Sequence, residues 1–307
     1  MFKGAFLNSL LISAAILMAA ATSYSQARST QLTITSEPGS AVWIDDIRFG
    51  KTDASGRFVV KDLGGTRHNV RVRADGFKET SKAIASAQGD VNIPLIKTTD
   101  PAELAFQQAE ALGSRDRQKA IDAYRNAIKL KPTYTAAYIG LARTLADSGD
   151  SEGAFKALRD LRRFAPANAE ASAVEGRIYK ENGDEAKAVA AFKRSITQGR
   201  GFQPEAYTGL GLLYKDKAEA AGAGGNFDDE SANYTEAAKN LSTALKQLSG
   251  APDAVVLYQL LGLVYEKQKK FDDAIRIYNE FLKRFPDSDE APTIRSFIEQ
   301  IKKQQPI

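Results

Sequence analysis

Alanine recurs at Ala120, Ala154 and Ala188, and proline at Pro132 and Pro166, each at a step of 34 residues. A fixed period of that length, with small residues at set places, marks stacked helical hairpins. A single hairpin of this kind cannot bury its apolar face and needs a neighbour to do so. The pattern runs through 100–286. Its clearest unit carries Tyr258, Leu261, Gly262 and Tyr265, then Ala274, Tyr278 and Pro286. The unit before it carries Tyr207, Leu210, Gly211 and Tyr214, then Ala237, Leu241 and Ala244. Earlier units keep Tyr138, Leu141, Ala142, Leu145, Ala154 and Leu158, and then Gly176, Tyr179, Ala188 and Phe192. The first unit is degenerate in its opening helix but retains Ala120, Tyr124 and Ala127. Gly176, Gly211 and Gly262 let two helices approach closely, and each proline stops a second helix because it has no N–H to donate.

These units resemble tetratricopeptide repeats. Five are expected, at about 101–134, 135–168, 169–203, 204–254 and 255–288, with a capping helix in 289–307. An open stack requires such a cap to solvate its last face. Ile294, Phe297 and Ile301 form the apolar side of that helix. In this family the first helix of each hairpin lines an inner groove. The resemblance therefore implies a protein or peptide ligand, bound by Arg143, Arg177, Leu212 and Leu263 and, one turn later, by Lys180, Lys215 and Glu266. The middle of such a groove is basic and its later part apolar, which suits an acidic, partly apolar peptide. The same residues also read as solvated charges on exposed helices. The lysine and asparagine set by which chaperone-binding members clamp a terminal carboxylate is absent.

Two units depart from the pattern. The third lacks its proline and runs through Gln198–Gly201 to Pro204. The fourth has fifteen residues more than one period between Ala188 and Ala237, centred on 221–230. That insertion reads as a loop, with lengthened helices as a further option. It is either a tolerated surface feature or part of a binding face. Asp228, Asp229 and Glu230 are expected to favour the start of the next helix electrostatically rather than to hold calcium. Asn233 and Asn240 match the N-glycosylation pattern but fall in an expected helix.

Residues 28–98 show a different period. Leu32 and Ile34, Val42 and Ile44, Phe58 to Val60, Val70 and Val72, and Val91, Ile93 and Leu95 mark short strands between glycine and proline turns. Apolar residues alternating at period two indicate half-buried strands. The segment Ser36–Asp46, with Leu63, Gly64, His68, Val70, Val72, Gly76 and Phe77, resembles the PEGA family, although Glu37 and Pro38 are exchanged and Ser40 is inserted. Thr52–Phe58 also resembles the carboxypeptidase regulatory-like sandwich family. Both imply a non-catalytic β-sandwich on extracytoplasmic proteins. His68 has no second histidine or cysteine and reads as structural or exposed. Asp45 and Asp46 serve a turn or a calcium ion. Trp43 alternates out of register with Val42 and Ile44, so it covers an edge, docks on the helices or stacks on a sugar. The fold class is thus multidomain and mainly α: a small N-terminal β-sandwich followed by an α-helical solenoid.

Residues 1–27 form a third kind of segment. Lys3 precedes the apolar run Leu10–Ala21, and Ser25, Gln26 and Ala27 follow with small residues at cleavage spacing. That is the order of a secretory signal, cut before Arg28, and it predicts an exported protein of the bacterial periplasm or envelope. Retention as an anchor is the alternative. No later stretch is apolar and long enough to span a membrane. Among the 307 residues there is no cysteine and one histidine, which removes thiol nucleophiles, thiolate zinc sites and multi-histidine metal centres. No phosphate loop, dinucleotide fingerprint or nucleophile elbow is present. The expectation is therefore no enzyme, no catalytic residues, no metal and no cofactor. The formal charge of +4 lies mostly in 28–99 and forms no basic stripe with interleaved aromatics, so no nucleic acid is expected. A scaffold for envelope proteins leads. A cell-wall glycan binder acting through the β module, with the repeats as spacer, stands second.

Overall fold

The computed structural model describes residues 31–304, apart from 61–66, 86–88, 114 and 249. The signal segment and the Leu63–Gly64 part of the PEGA-like pattern lie outside the described residues. The β-rich part comes first. Its strands are β1 (Leu32–Thr35), β2 (Ala41–Ile44), β3 (Ile47–Lys51), β4 (Arg57–Val60), β5 (Arg67–Arg73), β6 (Phe77–Lys78), β7 (Thr80–Ala85), β8 (Asp90–Asn92) and β9 (Ile96–Lys97). They form sheets in the orders β4-β1-β8, β3-β2-β5-β7 and β6-β9, with β1 and β8 parallel. Leu32, Ile34, Val42, Ile44, Val70 and Val72 are fully or almost fully buried, as alternation at period two requires.

The β2–β3 hairpin turns through Asp45 and Asp46, whose φ angles are 51° and 65°. Two central residues at positive φ match the right-handed twist of the flanking strands. Asp45 also fixes the turn from the side. Its Oδ1 accepts from the Asn69 N–H at 2.9 Å, and its Oδ2 lies 2.6 Å from His68 Nδ1. Both carboxylate oxygens of Asp45 are therefore engaged, and His68 is a buried structural residue. Among the described residues no cluster of three His, Cys, Asp or Glu side chains is placed to hold a metal ion.

The helices are α1 (Pro101–Leu112), α2 (Arg117–Leu130), α3 (Thr135–Asp147), α4 (Ser151–Arg162), α5 (Ala169–Glu181), α6 (Glu185–Gln198), α7 (Pro204–Ala223), α8 (Phe227–Leu248), α9 (Ala254–Lys267), α10 (Phe271–Arg284) and α11 (Ala291–Gln304). They pack as successive hairpins, and Ala120, Ala154, Ala188, Ala237 and Ala274 have no exposed surface. Asp116, Asp150 and Asp184 cap α2, α4 and α6, accepting from the backbone N–H of Lys119, Gly153 and Lys187. Each cap satisfies a donor that the helix start leaves unpaired.

Phe192 shows how tightly the hairpins meet. A Cβ on Gly176 would stand 2.6 Å from its ring, and one on Gly209 would stand 2.3 Å away. The ring is held between the first helix of its own hairpin and that of the next. Tyr278 meets Gly262 in the same way.

The insertion is not a loop. Its residues extend α7 to 20 residues and α8 to 22, and only Gly224, Gly225 and Asn226 connect them. Continuing the helices satisfies the added backbone internally, whereas a long loop would need other partners. Asp228, Asp229 and Glu230 lie in the first turn of α8, where Asn226 Oδ1 accepts from the Asp229 N–H at 3.2 Å. α11 closes the stack with Ile294, Ile298 and Ile301 buried, while Phe297 is only partly buried and meets the Tyr278 ring.

The two parts are joined beyond their linker. Gln107 of α1 accepts from the Gly76 N–H at 2.8 Å and donates to the Phe77 carbonyl at 2.7 Å. The apolar core of the β part is also continuous with the core of α7–α11, whereas α1–α5 build a second core. The β part thus bridges the first hairpin and the last ones across the concave side.

Candidate partner-binding cleft

The first helices of the hairpins, α3, α5, α7 and α9, face inward. The space they enclose is closed on its open side by the β2–β3 hairpin. The result is a cleft of about 1030 Å³. That volume is at the top of the range for ligand pockets, roughly 300–1,000 Å³.

Four of the residues expected to bind a partner line this cleft: Arg143, Arg177, Lys180 and Leu212. Lys215, Leu263 and Glu266 do not. Lys215 pairs with Glu219 at 2.9 Å. Leu263 is exposed outside the lining of the cleft. Glu266 accepts from the Tyr278 hydroxyl at 2.6 Å, which ties the two helices of the last hairpin together.

The cations of the cleft are largely engaged. Arg143 grips Glu205 with both Nη atoms, at 2.9 Å through Nη1, and reaches Glu170 at 3.3 Å. Burial opposes the charge on Arg143, yet Glu205 and Glu170 outweigh it and hold the guanidinium above its ordinary pKa. Glu170 responds the other way. Neighbouring protein on the concave wall displaces water and pushes its carboxyl up, and Glu205 adds to the effect, while Arg143 and the 54% of the side chain left exposed oppose it. Lys180 pairs with Asp216 at 2.8 Å. The inner face is therefore less basic than its arginines and lysines suggest.

Arg177 differs. Its Nη1 donates to Asp147 at 3.0 Å. Its Nε and Nη2 are buried and make no hydrogen bond, and Glu181 stands 3.9 Å from Nε. Nε and Nη2 form the edge of a guanidinium that grips a carboxylate with two parallel bonds.

The sequence pattern of the repeats leaves out one wall of the cleft. Trp43, Arg48 and Arg71 come from the β part. The ring of Trp43 is covered by Arg71 and Arg73, whose guanidinium carbons lie 4.7 and 5.1 Å from its centroid. The out-of-register position of Trp43 is the signal for this face. Phe202 and Val256 are 40% and 57% exposed and also line the cleft, so large apolar surface faces the ligand space. Val256 stands off the buried stripe of Ala254, Leu257, Tyr258 and Leu261, and that offset is visible in the sequence. Glu205, the chief partner of Arg143, has no local pattern to mark it.

Tetratricopeptide repeat family models match residues 111–178, 169–198 and 257–288. Among curated proteins none matches. Of solved structures, yeast Tom70 is 17% identical with a TM-score of 0.54, over 67% of this chain and 41% of that one. The Cut9 and Hcn1 hetero-tetramer of the APC/C gives 16% identity and a TM-score of 0.51, over 68% of this chain and 38% of that one. A thermophilic repeat protein of Thermus thermophilus gives 17% and 0.47, over 65% and 98%. At these identities the likeness is one of fold.

Proposed function

We propose, on the premise that the helices of this chain are tetratricopeptide repeats, that it is an exported scaffold which binds protein partners of the cell envelope through its concave cleft and catalyses no reaction. Repeats of this kind are typically protein-interaction scaffolds. The observation that carries the reading is the cleft itself: a space of about 1030 Å³ with exposed Phe202 and Val256 on its wall. Exposed apolar surface gathered in a concavity favours a bound partner over free solvent.

Crosslinking in the native envelope, followed by mass spectrometry, tests this. Partner proteins crosslinked to α3, α5, α7 or α9 are expected. The double substitution Arg143→Glu and Arg177→Glu should abolish those crosslinks, and their survival would sink the assignment. Export rests on residues 1–27, and the mature protein should begin at Arg28. An N-terminus at Met1 would refute cleavage. Binding of cell-wall glycan through Trp43 finds little support, because Arg71 and Arg73 already occupy its ring.

A further inference from the structure

The β part reads in the sequence as a module beside the repeats. In the fold its β2–β3 hairpin forms one wall of the cleft, and its core merges with that of the last hairpins. We infer that the ligand site is shared between the hairpin and the repeats, and that it takes an extended peptide carrying a carboxylate beside an aromatic or aliphatic side chain. This rests on the groove reading above and narrows it to a ligand class and to a residue outside the repeats.

The charges of the cleft argue for this ligand. Of its cations, Arg143, Lys180, Arg71 and, through Nη1, Arg177 have carboxylate partners. Arg48 of β3 makes no ion pair among the described residues and is exposed. Arg177 has its carboxylate-gripping edge without a hydrogen bond. Two donors left unsatisfied in a partly desolvated wall carry a cost that a ligand carboxylate removes.

The acids of the cleft set the direction. Glu170 and Glu205 are held by Arg143, Asp45 by His68 and Asn69, and Asp46 lies 3.6 Å from Arg71. Asp253, at the start of α9 beside Val256, has no such partner among the described residues. It repels an anion from the apolar end. The carboxylate therefore goes toward Arg48 and Arg177, and the apolar side chain goes onto Phe202 and Val256.

The test uses the whole chain and fluorescence anisotropy. The probes are short labelled peptides with one phenylalanine and one glutamate a few residues apart, and the same peptides with lysine in place of glutamate. Arg48→Glu should weaken the glutamate peptides at least about tenfold and spare the lysine peptides. Arg48→Gln repeats the test without a new charge, should the first variant melt early. If Arg48 variants bind as the native chain does while Arg177→Gln binds worse, the repeats act without the hairpin. That would overturn the inference and leave the groove reading standing. Tighter binding in Arg48→Glu would make the hairpin a plug and would also overturn it. A native chain that binds none of these peptides would rule out the ligand class.

Discussion

The guanidinium carbon of Arg73 lies 4.6 Å from the ring centroid of Phe106. The same group lies 5.1 Å from the Trp43 centroid and donates through Nε and Nη2 to Glu79 at 2.9 and 2.6 Å. One side chain from β5 thus links an aromatic ring of the β part to one in α1. Arg73→Ala should cost about 2 kcal/mol in urea denaturation, through lost stacking on two rings and a Glu79 left with only the longer bond to Arg71 at 3.4 Å. Arg73→Lys should recover little, because an ammonium neither stacks nor forks. Hydrogen exchange should rise at Gly76 and Phe77 in both variants. Unchanged exchange there would show that Arg73 does not hold the junction.

The last hairpin lacks what the earlier ones have at its turn. Lys270 stands where Asp150 and Asp184 stand, four residues before the buried alanine. Its backbone already has their geometry, φ −87° and ψ 65° against −86° and 71° for Asp150. Lys270→Asp should therefore stabilise the chain by about 1 kcal/mol, by adding the missing cap. Lys269, at φ 57°, takes the place of Gly149 and Gly183. Lys269→Gly should add about 1 kcal/mol by removing the left-handed strain of a side-chain residue. Thermal melts of the two variants and their combination check both, and a lower melting temperature would refute the cap argument.

Phe192 lies between Gly176 and Gly209, so an added methyl at either glycine must push the ring. Gly176→Ala should destabilise by about 1–3 kcal/mol as overpacking. Phe192→Leu in the same chain should relieve part of that cost, because the two sites share one space. Strict additivity in the double mutant would mean the ring is not what opposes the methyl.

Glu170 gives a pH dependence with a definite sign. Partial loss of water raises its pKa in the folded chain, so the folded state favours its protonated form, and solvent at the exposed 54% of the side chain keeps the effect small. Its favourable contribution is present at acid pH and is lost as pH rises through the folded pKa. Glu170→Gln, which is always neutral, should melt above the native chain at neutral pH. The gap should close as pH falls through the raised value toward the ordinary carboxylate range. A gap that stays constant with pH would show that Glu170 is not held in this way.

The repeats are legible because their packing residues recur at a fixed step. Ala120, Ala154 and Ala188 fill the same place in three hairpins, and any departure from alanine or glycine there would separate the helices. The strands of the β part are legible through Val42, Ile44, Val70 and Val72, which alternate with half-exposed neighbours. The insertion can be located in the sequence, which allows both a loop and lengthened helices, and the structure takes the second form. Its glycines suggest a break, while the alanines and charges around them support continuing helix. The cleft is only half legible. Arg143 and Arg177 follow from the repeat period. The pairing of Arg143 with Glu205, 62 residues on, and the closure of the cleft by Arg48 join distant segments that no local pattern connects.

A row of hairpins touching only its neighbours behaves as a spring: it stretches, twists and frays from its ends. Here the β part grips α1 through Gln107 and Arg73 and shares its core with α7–α11. The spring is braced across its opening, and one side of that opening is a hairpin with only Asp45 and Asp46 at its tip. Loosening of the first strands is then felt in the later hairpins, whose apolar core they share.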